Sequence, residues 1–201
     1  MSIVEDLPFP DGLPRASAAP EEHTVFRLAQ LTILLGEIAP SDQRPVDLER
    51  VGYYDFFAAN PFAIVQEGDA VERARLHRAA FDERQLTYAS TGTRFANRRR
   101  RLQHDLALLV AYGLAQPQGS GYVQTAAGAE LVGSLSALYV DQYKESTRIV
   151  HGRLRRLSDA QLAESARRWL KEPSLILDLY GSTEEPLQSD GNDQTWESAH
   201  D

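Results

Sequence analysis

The sequence predicts a mainly α-helical protein built around a small β-hairpin, and three observations carry that prediction. Apolar residues recur at helical spacing through most of the chain between residues 23 and 180. One long helical stretch gives way to two short extended pieces joined by a glycine-containing turn. The two ends are acidic and polar, with too little apolar content to offset the entropy of ordering.

Residues 1–22 hold four prolines (Pro8, Pro10, Pro14, Pro20) and five acids against one Arg, and read as a flexible arm. Val25, Leu28, Leu31, Thr32, Leu35 and Ile38 then mark a first helix, which Pro40 closes. A second helix runs from a cap at Asp47 to Asn60, stopped by Pro61; its apolar groups lie on nearly every side, as suits a core helix. A short helix is expected near residues 71–80. Residues 181–201 hold six acids and no Lys or Arg and read as a disordered acidic tail. That leaves one domain, residues 23–180.

The stretch from Thr93 to Leu135 is the most informative. Phe95, Leu102, Leu106, Leu109, Val110 and Gly113 project within about 100° of arc, a single core-facing stripe. After them come an extended piece at residues 114–116, the turn PQGSG, a second piece at residues 122–124 and a helix starting at TAAGAELVGSL. Long helix, strand, glycine turn, aromatic strand and small-residue helix is the order of a winged helix. Two further helices complete the domain. One, within residues 136–157, has a wide apolar face including Leu138, Tyr139, Tyr143, Ile149, Val150, Leu154 and Leu157, opposite Lys144, Arg148, His151 and Arg155. The other opens with Ser158 and Gln161 in capping-box spacing and buries Leu162, Ala166, Trp169 and Leu170.

Composition removes several function classes. The chain has no cysteine, so thiolate metal sites and cysteine nucleophiles are excluded together. The five histidines (His23, His77, His104, His151, His200) fall in separate elements without two-His helical spacing, and no nucleophile-elbow, phosphate-loop or dinucleotide-binding glycine motif occurs. The expectation is a non-enzyme with no catalytic residues, no metal and no cofactor. No apolar run approaches the roughly 20 residues of a membrane span, so a soluble, cytoplasmic protein is expected. The net charge of −8 resides in the ends, and residues 23–180 carry +2.

The sharpest charged feature is the run RFANRRRR. Arg94, Asn97, Arg101 and His104 project opposite the core stripe with Arg100 beside them, while Arg98 and Arg99 flank the stripe and lay their stems along it. Forked guanidiniums suit phosphates, and Asn pairs bidentately with adenine. Arg94, Asn97, Arg98, Arg100, Arg101 and His104 are therefore candidates for contact with double-stranded DNA or with an acidic protein surface. Against this, Asp105 lies four residues after Arg101 at ion-pair spacing, and the wing QPQGSGYVQ has no cation for a second phosphate track. Tyr139 and Tyr143, one turn apart, suit a protein interface, although the same face could instead be core.

Two segments, DLERVGYYDFFAANPFAI and LTYASTGTRFANRRRRLQHDLALLVAYGLA, resemble the middle component of bacterial ABC-three-component systems over most of residues 24–170. That resemblance implies a small winged-helix protein that accompanies an SMC-like or Rad-like ABC ATPase and a larger third component in defence against phage or plasmid DNA. It implies that Tyr53, Tyr54, Asp55, Asn60 and Pro61 form a core or interface element. Asn97, Arg98, Arg99, Arg101, Gln103, His104 and Asp105 would mark the recognition-like helix, and ATP would be hydrolysed by the partner. The sequence-level expectation is thus a non-catalytic adaptor with Tyr53, Tyr54, Tyr139 and Tyr143 at protein interfaces. The alternative is a MarR-like or PadR-like transcriptional regulator, a homodimer formed through residues 136–157.

Overall fold

A computed structural model describes residues 23–38, 46–83 and 90–170. The expected arm at 1–22, the stop at Pro40, the domain end at 171–180 and the tail at 181–201 lie outside the described residues.

The order of elements is α1 (Thr24–Ile38), β1 (Val46–Asp47), α2 (Leu48–Ala59), a single 3-10 turn (Pro61–Ala63), α3 (Ala70–Arg78), α4 (Thr91–Ala111), β2 (Ala115–Gln118), β3 (Gly121–Gln124), α5 (Ala126–Ser134), α6 (Leu138–Leu154) and α7 (Asp159–Leu170). The three short strands form one antiparallel sheet in the order β1-β3-β2. The fold is mostly helical with a winged-helix arrangement: a strand between the first two helices pairs with the returning strand of a hairpin that follows the long helix. The expected hairpin and all the expected helices are present. β1 escapes a sequence reading because two residues, Val46 and Asp47, pair only with Tyr122 and Gly121 far along the chain.

Local chemistry explains where the elements start and stop. Asp47 caps α2 by accepting from the backbone N–H of Arg50 at 2.8 Å, and Asn60 closes it with its side-chain amide on the Phe56 carbonyl at 2.9 Å. The Ser158/Gln161 capping box forms in both directions, at 2.9 and 3.3 Å. α4 ends in a Schellman motif: Gly113, with φ of 70°, places the Leu114 N–H on the Leu109 carbonyl and its own N–H on that of Val110. The hairpin turns through Gly119 and Ser120 with positive φ at Gly119 alone, the pattern of a type II′ turn. At Gly128 a Cβ would lie 2.2 Å from the Leu114 carbonyl oxygen, so α5 can approach the hairpin's base only with glycine there.

The core sits between α1, α2, α4 and α6. Tyr53, Phe56 and Phe57 of α2 meet Phe95 of α4 and Trp169 of α7, with ring centroids 5.2–5.6 Å apart for Tyr53–Phe95, Phe56–Phe95 and Phe57–Trp169. α6 lies across both α1 and α2 and is pinned there by the Ser146 hydroxyl donating to the Ala58 carbonyl at 2.7 Å. Its wide apolar face is therefore intramolecular core.

Several sequence-level placements change as a result. Tyr53, Tyr54 and Tyr143, expected at protein interfaces, are 3%, 0% and 0% exposed. Tyr139 is half-buried, stacked on Tyr143 and tilted against Phe26 of α1, with its hydroxyl accepting from Gln30 at 2.5 Å. All four tyrosines hold the domain together. His151, expected on the polar face of α6, is buried edge-on against Tyr54. Conversely Val25 and Leu138, expected inside, are 80% and 73% exposed: each points away from the packed side of a first turn in which Arg27 (α1) and Val140 (α6) are buried.

Candidate functional site

What orients α4 is a pair of buried ion pairs of opposite polarity. Arg27 of α1 donates Nε and Nη2 to the two oxygens of Asp105 at 2.7 and 2.9 Å, and Arg98 donates the same two atoms to Asp55 of α2 at 2.5 and 2.7 Å. The side chains are 10% and 3% exposed in the first pair, 16% and 5% in the second. Arg98 Nη2 also reaches the Gln30 amide oxygen at 2.8 Å, and Gln30 in turn holds Tyr139. Burial pulls the Arg98 guanidinium's pKa down, but the Asp55 carboxylate outweighs it and the net shift is upward. The hydrogen bonds that Arg27 donates to Asp105 raise its own pKa against a smaller opposing effect of burial. Burial, reinforced by the Asp55 charge, pushes the adjacent Tyr143 hydroxyl's pKa well up, so it stays neutral.

Two sequence-level readings are thereby corrected. Arg98, a candidate for partner contact, points inward and is held by Asp55. Asp105, placed in an i,i+4 pair with Arg101, is buried against Arg27 instead, because it falls on the core stripe between Leu102 and Leu109 where only a partnered carboxylate can sit. Arg27 is the one basic residue of α1, and that was the available signal for the pairing. Arg99 lies over the rings of Tyr53 and Phe95, 5.9 and 6.0 Å from their centroids, and 3.6 Å from Glu49, its stem along the stripe as expected.

With Arg98 turned in, the outward face of α4 carries Asn97, Arg100, Arg101 and His104, all exposed, and Arg94 at its edge. Arg94 donates Nη2 to the Asn60 side-chain oxygen at 2.5 Å. Asn97, Arg101 and His104 make no hydrogen bond or ion pair among the described residues. Beside this face a cleft of about 150 Å³ opens, lined by Arg27 from α1, Phe56 and Asn60 from α2 and its cap, and Arg94, Asn97, Arg98 and Arg101 from α4. Arg27, Phe56 and Asn60 were not among the expected contact residues, since only the packing of α1 and α2 against α4 brings them there. The wing beyond α4 exposes Gln116, Pro117, Gln118, Gly119 and Ser120, none of them charged.

The fold and this face define a class: a winged-helix domain whose long helix presents cations and amides outward. No protein-family model, no curated protein and no solved structure matches the chain. Among the described residues no three His, Asp or Glu side chains are grouped as metal ligands, and no helix is long and apolar enough to cross a membrane.

Proposed function

We propose that the protein is a non-catalytic adaptor, the middle component of an ABC-three-component assembly that acts against phage or plasmid DNA. In this reading it bridges an SMC-like ATPase and a third component, and turns the outward face of α4 toward an anionic surface, DNA included. The observation that carries the reading is the contrast between α4 and the wing. Arg94, Arg100 and Arg101 offer charge along one helix, while the wing offers none, so a duplex would be gripped along one phosphate track only. Solitary binding by so few contacts is weak at physiological salt, and a second polypeptide is needed to complete the grip.

The rival reading, a MarR-like or PadR-like dimeric regulator, used the apolar face of residues 136–157 for dimerisation. That face covers α1 and α2 within the chain, with Val140, Tyr143, Ile149, Val150 and Leu154 all buried, which favours the adaptor reading over dimerisation through this face.

The test is co-expression with an ABC ATPase encoded beside it, followed by size-exclusion chromatography with mass determination. A complex of fixed stoichiometry is expected. A stable homodimer that binds a promoter tightly in physiological buffer and ignores the ATPase would overturn the adaptor reading.

A further inference from the structure

Charge and size single out the cleft beside α4. Of its four guanidiniums, those of Arg27 and Arg98 are matched by the buried carboxylates of Asp105 and Asp55. Arg94 and Arg101 have no carboxylate within ion-pair distance among the described residues. The Asn60 side chain, itself anchored on the Phe56 carbonyl, holds Arg94 at the cleft wall by one nitrogen, leaving Nε and Nη1 without a hydrogen bond among the described residues. Asn97 and Arg101, three and seven residues on, bring further donors to the same face of the helix. The result is a small concavity with an apolar floor at Phe56 and two uncompensated positive charges.

We propose that this cleft binds one phosphate monoester, the terminal phosphate of a nucleic-acid strand. A cavity of about 150 Å³ lies well below the roughly 300–1,000 Å³ of sites that enclose whole small molecules, and it suits a single anionic group. Two unmatched guanidiniums complement the charge of about −1.5 to −2 on a monoester near neutral pH, whereas a carboxylate or a backbone diester would leave one of them unmatched. The forked donors of Arg94 and Arg101 on either side of the Asn97 amide supply more hydrogen bonds than two carboxylate oxygens accept. A strand leaving the cleft would run along the exposed Arg100 and His104, which favours nucleic acid over a phosphopeptide as the source. The proposal rests on α4 being the anion-facing helix and is independent of the ATPase partner.

The full chain is titrated, at matched ionic strength, with a single-stranded oligonucleotide bearing a terminal phosphate, the same oligonucleotide without it, inorganic phosphate and a phosphoserine peptide. The terminal phosphate should tighten binding about tenfold, the worth of one or two charge-assisted hydrogen bonds. Inorganic phosphate should move the guanidinium NMR signals of Arg94 and Arg101. Arg101→Gln and Asn97→Asp, both at exposed positions that the fold does not depend on, should abolish the advantage, while Arg156→Gln, equal in charge change but remote, should keep it. Equal affinity for the two oligonucleotides, an advantage that survives Arg101→Gln, or tighter binding of the phosphopeptide would each overturn the proposal. A failed ATPase co-purification beside a retained phosphate advantage would remove the adaptor reading and leave the cleft assignment standing.

Discussion

At the scale of single residues, the orientation of α4 depends on Asp105 and Arg98, which lie two helical turns, about 10.5 Å, apart on one face. One is an anion that requires the cation of α1, and the other is a cation that requires the anion of α2. Sliding α4 by a turn would leave both buried and unpartnered, so the two pairs set its register as well as its facing. Removing one member strands a charge: Asp105→Ala should cost about 3–5 kcal/mol in urea unfolding, since the Arg27 guanidinium would lose its carboxylate in a buried site. The double change Arg27→Met, Asp105→Leu should recover most of that loss, because a well-packed apolar pair needs no compensation. A single and a double variant equally destabilised would show that the pair contributes by packing alone. The same residues mark the limit of what sequence could tell. Counting positions puts Asp105 four residues from Arg101, and helical spacing alone is satisfied by that pairing; only the arrival of α1 decides for Arg27.

At the scale of elements, periodicity revealed most of the fold because apolar stripes report directly on burial. α1, α4, α6 and α7 each carry such a stripe, α2 is apolar on nearly every side, and the caps at Asp47 and Ser158 were readable from local chemistry. The two-residue β1 carries no local signal, and the wide face of α6 could not reveal whether its cover was another chain or α1 and α2. α3 is a different kind of element. Leu76 is its one fully buried large side chain, and polar ties secure the helix to α6: Arg75 to Glu145 at 2.7 Å, and Arg153 to Asp69 at 2.8 Å and to Glu72. The hydrogen bond from Arg153, then that from the Gln66 amide, lowers the pKa of Asp69 below its ordinary 3.8, and Arg75 lowers that of Glu145 below its ordinary 4.5. Carboxylates with depressed pKa values in the folded state stabilise it fully above their unfolded values, and that stabilisation is lost as pH falls through the folded ones. Acidification from about pH 6 to about pH 3 should therefore lower hydrogen-exchange protection in α3 before it changes in α1, α2 or α4. A simultaneous loss of protection in all four helices would mean that α3 is held by its apolar contacts.

At the scale of the whole molecule, the charge distribution bears on how the α4 face can be used. The net negative charge is confined to the ends of the sequence, and residues 23–180 carry a net charge of only +2. The outward cations of α4 work against little background field from that domain, yet without a cationic wing to extend their reach. Each phosphate neutralised on duplex DNA contributes about −0.9 to the slope of log affinity against log salt. Three arginines on α4, Arg94, Arg100 and Arg101, thus predict a shallow slope of about −2 to −3 for the isolated chain, where a full phosphate grip of about 6–10 contacts gives about −5 to −9. Arg101→Ala should lower its magnitude by about one unit, whereas Arg98→Lys should leave it unchanged, since the charge at position 98 is already matched by Asp55. On the proposed adaptor reading, adding an ABC ATPase should steepen the slope, because the complex would complete the second phosphate track. An isolated chain with a slope near −8 would require a set of cations that the face of α4 and the uncharged wing do not provide, and the proposed sharing of the grip with a second polypeptide would have to be abandoned.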